Sequence, residues 1–124
     1  MFENTTAFSG ISVDDVPRAK AFYGDTLGLR VSEENGLLWL HFPEGPGTLL
    51  YPKGDAHQPA DFTVLNFPVE DVEKAVDELI ERGVTFQRYD GMDQDEKGIH
   101  RGGGPLIAWF TDPAGNVLSV IAQD

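Results

Sequence analysis

Cysteine is absent from this 124-residue chain. Its absence excludes disulfide bonds, thiolate metal ligands and cysteine nucleophiles, and it favours a reducing compartment, so we predict a cytoplasmic protein. Basic residues are also few: 9 Lys and Arg face 21 Asp and Glu, which gives a formal net charge of −12. Nucleic-acid binding depends on cationic groups that release counterions from phosphate, so we expect no nucleic-acid partner. The charge would attract a cationic small molecule, although acidity of this kind also serves solubility alone.

Long hydrophobic runs are missing as well. No apolar stretch approaches the roughly 20 residues that cross a bilayer, so we expect no membrane partner. The sequence also lacks a phosphate-binding loop, a zinc motif and the spacing of a Ser-His-Asp triad. What remains, with 40% hydrophobic and 24% charged residues, is the composition of an ordinary globular protein.

An internal repeat organises the residues that are present. Val13–Val16 and Val69–Val72 both read Val, acid, Asp, Val, and each leads from a β-like run into a helical pattern. Apolar residues at three- and four-residue spacing predict one helix over about 16–26, capped by an aspartate at 14 or 15, and a second helix over about 72–82.

The strands repeat too. A glycine and a short strand follow each predicted helix, at Gly28–Val31 and Gly83–Phe86. Trp39–Gly45 and Trp109–Gly115 then match each other in the positions of Trp, Pro and Gly. The additional residues of the second half lie in a polar, glycine-containing loop around 90–98.

This order of elements predicts an α+β fold. Two βαβββ modules, about 1–53 and about 61–124, would make up a single domain over residues 1–124. Because neither module buries its sheet alone, we expect the two to form an open, curved mixed sheet, a half-barrel with the helices on its convex face.

Several segments resemble the vicinal-oxygen-chelate group, the superfamily of glyoxalases, bleomycin-resistance proteins and extradiol dioxygenases. Phe110–Ser119 is similar to the Asp-Pro-x-Gly-Asn turn before the group's last strand, and Val13–Leu29 is similar to its first strand and helix. Asp95–Arg101, followed by Gly104–Phe110, resembles a subset of small bacterial members without an assigned reaction. The resemblance covers nearly the whole chain and implies the two-module fold and a homodimer.

Metal-using members of this group carry His, Gln or Glu on the first and last strands of each module, which suits a divalent ion. The matching positions here are Phe8, Leu49, Val64 and Ser119. Three of these side chains cannot ligate a metal, and a single serine hydroxyl is a poor ligand. The resemblance therefore implies a member without the usual metal site, and we expect no cofactor.

Strand alternation places a mostly apolar, aromatic set of side chains on the concave face, which is typical of a small-molecule pocket. Asn66 is expected to be buried there, where its amide needs partners. The alternatives are that the two Trp residues fill the core and that Phe8 and Val64 close the cavity. Arg101, in the second-half loop, could hold an anionic ligand, but pairing with nearby acids is the favoured interpretation. The complete predicted ligand-binding set is Phe8, Trp39, His41, Leu49, Tyr51, Val64, Asn66, His100, Arg101, Trp109 and Ser119.

Three functions stay open at this point. The first is a metal-independent protein that binds a cationic or aromatic small molecule, as bleomycin-resistance proteins of this group sequester an antibiotic in pockets at a dimer interface. The second is a metal-free lyase or isomerase in which His41, His100 or Tyr51 acts as acid or base. The third is a lyase or dioxygenase with relocated metal ligands, namely His41, His100 and a loop carboxylate. The first is favoured, and whether any reaction is catalysed stays undecided.

Overall fold

The structure is a computed structural model that describes residues 1–123. The chain folds into two compact units, with the boundary between Pro59 and Ala60. Each unit contains one open mixed sheet and one principal helix, so the predicted α+β fold of two βαβββ modules is confirmed. No helix within residues 1–123 is long and apolar enough to cross a membrane.

The first unit contains four strands in the order β1-β4-β3-β2, with β1 parallel to β4 and the other pairs antiparallel. Helix α1 packs on β3 and β4. The elements are β1 (Ser9–Val13), α1 (Val16–Lys20), a π-helical continuation (Ala21–Thr26), β2 (Arg30–Glu34), β3 (Leu37–His41), β4 (Thr48–Pro52) and a 3-10 turn (Gly54–Ala56).

Helix α1 begins where an acidic residue satisfies the free amides of its first turn. The carboxylate of Asp15 accepts a hydrogen bond from the Arg18 backbone N–H, and Pro17 occupies a first-turn position that needs no donor. The predicted bounds hold, but the second half is π-helical, since the N–H of Leu27 donates to the carbonyl of Phe22 five residues earlier.

The second unit contains three strands in the order β5-β7-β6, with β5 parallel and β6 antiparallel to β7. The carboxylate of Asp71 caps α2 by accepting from the Lys74 N–H. Helix α2 packs on β6 and β7, above the buried side chains of Phe110 and Leu118. The elements are β5 (Thr63–Val69), α2 (Val72–Glu81), β6 (Ile107–Thr111) and β7 (Val117–Ala122).

The strand predicted at Gly83–Phe86 is wrong in extent. Only an isolated bridge between Phe86 and Phe110 forms, next to a hydrogen bond from the Gln87 N–H to the Trp109 carbonyl. The ladder stops there because the carbonyl of Gln87 accepts from the side chain of Gln94 instead of from a strand.

The register confirms the sequence repeat at the two tryptophans. Trp39 of β3 is paired with Leu49 of β4, and Trp109 of β6 is paired with Ser119 of β7. The two tryptophans and the two last-strand positions are therefore equivalent in the two units, as the repeat predicted.

Candidate functional site

The first unit presents an aromatic sheet face. Along β3 and β4 the side chains of Leu38, Leu40 and Leu50 are buried in the core, so Trp39 and Leu49 lie on the opposite face. Phe8, just before β1, packs edge-on against Trp39 with ring centroids 5.0 Å apart. Phe8 is nevertheless 56% exposed and Tyr51 is 39% exposed. These predicted ligand-binding residues of the first unit therefore lie on one sheet face that stays open to solvent.

Two histidines of the first unit are hydrogen-bonded to serines. The Nε2 atom of His41 lies 2.8 Å from the Ser32 Oγ atom, and the Nδ1 atom of His57 lies 2.7 Å from the Ser12 Oγ atom. His57 is half-buried although it lies in the segment between the two units. Ser12 holds this histidine although the two residues are far apart in sequence, and no local pattern reveals that contact.

In the second unit Trp109 is the centre of an aromatic group. Its indole N–H donates to the Thr63 hydroxyl over 3.2 Å. The Tyr89 ring meets it edge-to-face with centroids 5.5 Å apart, and the His100 ring is 6.3 Å away. Because Thr63 uses the N–H, the indole offers its ring surface to anything that binds beside it.

A cavity of about 250 Å³ opens beside Trp109; we call it the Trp109 pocket. It lies on the sheet face away from α2, because Trp109 alternates with the buried Phe110. Phe62 is 66% exposed at this pocket, and the acidic residue Asp61 also lines it. The residues that line it are Asp61, Phe62, Thr63, Tyr89, Met92, Trp109 and Val117.

A bulge in β5 changes which residues reach this pocket. Thr63 is paired with Val117 and Leu65 with Leu118, so one residue of β5, Val64, is additional. A slip of one residue exchanges the two faces of a strand. Thr63 therefore bonds Trp109 and lines the pocket, whereas Val64 is not among the residues that line it.

Asn66 and Ser119 lie together on neighbouring strands. The Ser119 hydroxyl is fully buried and donates to the Asn66 side-chain carbonyl over 2.6 Å. Asn66 itself is exposed, so the expectation that it is buried is wrong. The cause is its position on β5, which is one of the two edge strands of the three-stranded sheet.

Residues 89–101, which we call loop 89–101, carry two residues of the Trp109 pocket, Tyr89 and Met92. Gln94 organises one end of the loop: its side-chain carbonyl accepts from the Tyr89 N–H, and its amide donates to the Gln87 and Gly98 carbonyls. Neither Gln94 nor the apolar pair Tyr89 and Met92 was predicted. The available signal was two large apolar side chains in an otherwise polar loop.

Asp95 organises the other end of loop 89–101. Its carboxylate accepts from the backbone N–H groups of Lys97 and Ile99 and from the Arg101 guanidinium. Burial opposes ionisation of Asp95, but the hydrogen bonds from Arg101, Ile99 and Lys97 outweigh it and lower the pKa of this carboxyl. The carboxylate is therefore ionised at neutral pH, as its role as an acceptor requires.

Arg101 is paired with acids, which was the favoured interpretation of this residue. It donates to Asp95 over 2.8 Å and to Glu73 of α2. Hydrogen bonds to Asp95 and then Glu73 raise the pKa of Arg101. Nearby, Lys97 forms an ion pair with Asp77 of α2 over 2.8 Å, and this hydrogen bond raises the pKa of Lys97 despite some desolvation.

Comparison with known proteins identifies the family. Residues 5–120 match the family model of the Glyoxalase/Bleomycin resistance protein/Dioxygenase superfamily. The chain belongs to this superfamily. None of the curated proteins compared with the sequence matches it.

Several solved structures share the fold over almost their whole length. A member from Sphaerobacter thermophilus DSM 20745 is 25% identical with a TM-score of 0.69, covering 99% of this chain and 100% of that one. TnmS3, an antibiotic-binding protein from Streptomyces sp. CB03234, is 24% identical with a TM-score of 0.66, covering 100% and 99%. The oxidase ChaP-H2 is 20% identical with a TM-score of 0.65, covering 98% and 95%. A binding protein and an oxidase on the same fold show that fold alone does not assign function here.

The residues that the resemblance matches to the superfamily's metal positions do not fit a metal ion. Phe8, Leu49 and Val64 have no donor atoms, and the hydroxyl of Ser119 is fully buried and already donates to Asn66. Across residues 1–123, no three His, Asp or Glu side chains come together in a group that could hold a metal ion. The relocated ligand set of His41, His100 and a loop carboxylate therefore receives no support.

Proposed function

We propose that this superfamily member is a metal-independent binding protein for a small aromatic molecule, with preference for a cation. The observation that carries the proposal is the Trp109 pocket, which is lined by Trp109, Tyr89, Phe62 and Met92 together with the acidic residue Asp61. Apolar and aromatic walls with one placed charge are the usual composition of a small-molecule site. The antibiotic-binding relative supports this class of function without naming a ligand.

The size and charge of the pocket restrict the ligand. A volume of about 250 Å³ suits one or two fused rings rather than a larger scaffold. The indole face of Trp109 and the ring of Tyr89 attract a cation as well as a flat ring. Asp61 and the net charge of −12 also favour a cationic ligand, because both raise the local concentration of cations.

Three flat two-ring probes of different charge test this preference. We expect N-methylquinolinium to bind about fivefold more tightly than neutral quinoline, and 2-naphthoate to bind more weakly than either, since cation–π attraction contributes about 0.5–1 kcal/mol at such sites. Binding is measured by titrating ¹⁵N-labelled protein and following the two tryptophan indole N–H signals, which the spectrum of Trp39→Phe assigns. A Trp109 signal that does not move with any probe contradicts the proposal.

The carboxylate in the pocket has a matched control. Asp61→Asn should remove most of the preference for N-methylquinolinium over quinoline, because Asp61 is the acidic residue among those that line the pocket. Asp55→Asn makes the same change of net charge at an exposed residue of the first unit and should leave the preference intact. Equal effects of the two substitutions would assign the preference to overall charge.

Metal content is a second, independent test. Elemental analysis of protein purified without affinity tag or chelator should give well under one divalent ion per chain, and adding Zn²⁺, Mn²⁺ or Fe²⁺ should not change N-methylquinolinium affinity. One ion per chain that survives dialysis would contradict metal independence.

Native mass spectrometry of the same sample tests the predicted homodimer, which should appear at twice the chain mass.

A metal-free lyase or isomerase is the second candidate, and one observation favours it. The Nδ1 atom of His100 lies 3.0 Å from the Asp93 carbonyl, so it donates its proton there, and the neutral ring then has Nε2 free of a proton, as a general base requires. The contact is with a backbone carbonyl rather than a carboxylate, which gives weaker activation. Turnover of a co-purified compound that His100→Gln abolishes would favour this candidate.

A further inference from the structure

Loop 89–101 forms one wall of the Trp109 pocket, so the forces that hold the loop also set the shape of the pocket. The wall residues Tyr89 and Met92 are both partly exposed, at 39% and 41%, so burial alone does not hold them in place. Their placement depends on the turn in which the Met92 N–H donates to the Tyr89 carbonyl, and on the bond between the Tyr89 N–H and Gln94.

Further hydrogen bonds connect the segment of Tyr89 and Met92 to the far end of the loop. Gln94 joins Tyr89 to Gly98 through its side-chain amide. The backbone carbonyl of Asp93 accepts from the Arg101 N–H, so the segment that follows Met92 is tied directly to Arg101. Hydrogen bonds thus connect the loop from Tyr89 to Arg101.

Helix α2 holds that unit at two points. Lys97 is paired with Asp77, and Arg101 is paired with Glu73, so the two acids lie one turn apart on the same helix face. Between the two cations, the side chain of Ile99 is fully buried. Ile99 anchors the loop by apolar burial, which is not directional, while the flanking ion pairs fix the direction in which the loop leaves the anchor.

We propose that Glu73 and Asp77 are positioning residues for the Trp109 pocket: through Arg101 and Lys97 they hold loop 89–101 so that Tyr89 and Met92 face Trp109. The inference rests on the proposed function, since it concerns affinity at the same site. Its distinctive consequence is that salt weakens the binding of an uncharged ligand. Surface ion pairs are screened as ionic strength rises, from a Debye length of about 30 Å at about 0.01 M to about 8 Å at about 0.15 M.

The test uses the double variant Glu73→Gln/Asp77→Asn, which keeps the size of both side chains and removes both charges. The matched control, Glu78→Gln/Glu81→Gln, removes the same charge from the same helix at residues outside the contacts to the loop; Glu78 is paired with Arg82. Affinity is measured with the neutral probe quinoline at low and moderate salt. Loop order is measured without any probe, by hydrogen exchange of the Ile99 amide.

In the double variant we expect the quinoline affinity to fall about fivefold at low salt, which is within the range of free energy that two exposed ion pairs contribute. We also expect the Ile99 amide to exchange its hydrogen severalfold faster than in the wild type. The affinity of the wild type and of the control should fall with salt, whereas that of the double variant should not. Glu73→Asp/Asp77→Glu, which restores both charges, should recover part of the affinity.

The outcomes separate this inference from the proposed function. If the wild type binds no probe, the proposed function fails. If the wild type binds quinoline and the double variant binds it equally well, or with the same dependence on salt, the positioning role is wrong while the binding function stands. If the Ile99 amide also exchanges faster in the control variant, the positioning role is wrong. The faster exchange would then result from the lower negative charge of α2 and not from the lost ion pairs to the loop.

Discussion

Asp112→Ala is expected to destabilise the protein by about 3 kcal/mol, more than any other single carboxylate substitution that we predict. Asp112 is 4% exposed and lies at the turn between β6 and β7. Its carboxylate accepts from the backbone N–H groups of Ala114 and Asn116 and from the Asn116 side-chain amide. Alanine leaves these donors without the carboxylate, and a buried donor that loses its partner costs about 1–3 kcal/mol.

The effect should be seen as a loss of free energy of unfolding in urea, with a fall in the melting temperature of about 10 °C. Asp112→Asn keeps one acceptor oxygen but places an amide opposite the Asn116 amide, so it should lose roughly half as much as alanine. Asp90→Ala, at an exposed carboxylate, should change stability by less than about 0.5 kcal/mol. Equal stability of Asp112→Ala and Asp90→Ala would mean that the turn does not depend on its aspartate.

The turn at Asp112 also shows why the fold could be predicted from the sequence. The Asp-Pro-x-Gly-Asn pattern, the Val-acid-Asp-Val repeat and the helical spacing after it are local signals, and each is tied to a backbone conformation that these residues favour. The repeat then assigned equivalent positions, and the pairing of Trp39 with Leu49 and of Trp109 with Ser119 follows that assignment.

The candidate pocket was predicted less well because it depends on features without a periodic signal. The bulge that places Thr63 beside Trp109 inserts one residue in β5, and nothing in the local composition marks it. Tyr89 and Met92 reach the pocket through a loop whose path is set by bonds between side chains and backbone at Gln94 and Asp95. Such contacts depend on the path that the loop takes and leave no regular spacing in the sequence. The alternation of side chains along strands therefore could not reveal them.

Trp109→Ala should weaken the binding of N-methylquinolinium more than tenfold, the largest effect on binding that we expect from one substitution. Trp109 has the largest ring of the pocket, and both Tyr89 and Thr63 contact it. Losing a central aromatic side chain removes both stacking and cation–π attraction, and central aromatic contacts commonly contribute 2 kcal/mol or more, on the order of a thirtyfold change in affinity.

The measurement must not depend on the removed indole, so the affinity is taken from the NMR signals of the probe itself. Trp109→Phe keeps an aromatic face but loses the donor to Thr63, and it should fall between wild type and alanine. Thr63→Val removes only the acceptor and should cost a few-fold in affinity, because the indole then loses its fixed orientation. Phe2→Ala, at a residue that is 75% exposed, is the matched control for loss of an aromatic side chain. If Trp109→Ala binds the probe as tightly as Phe2→Ala while both remain folded by circular dichroism, the ligand site lies elsewhere on the chain.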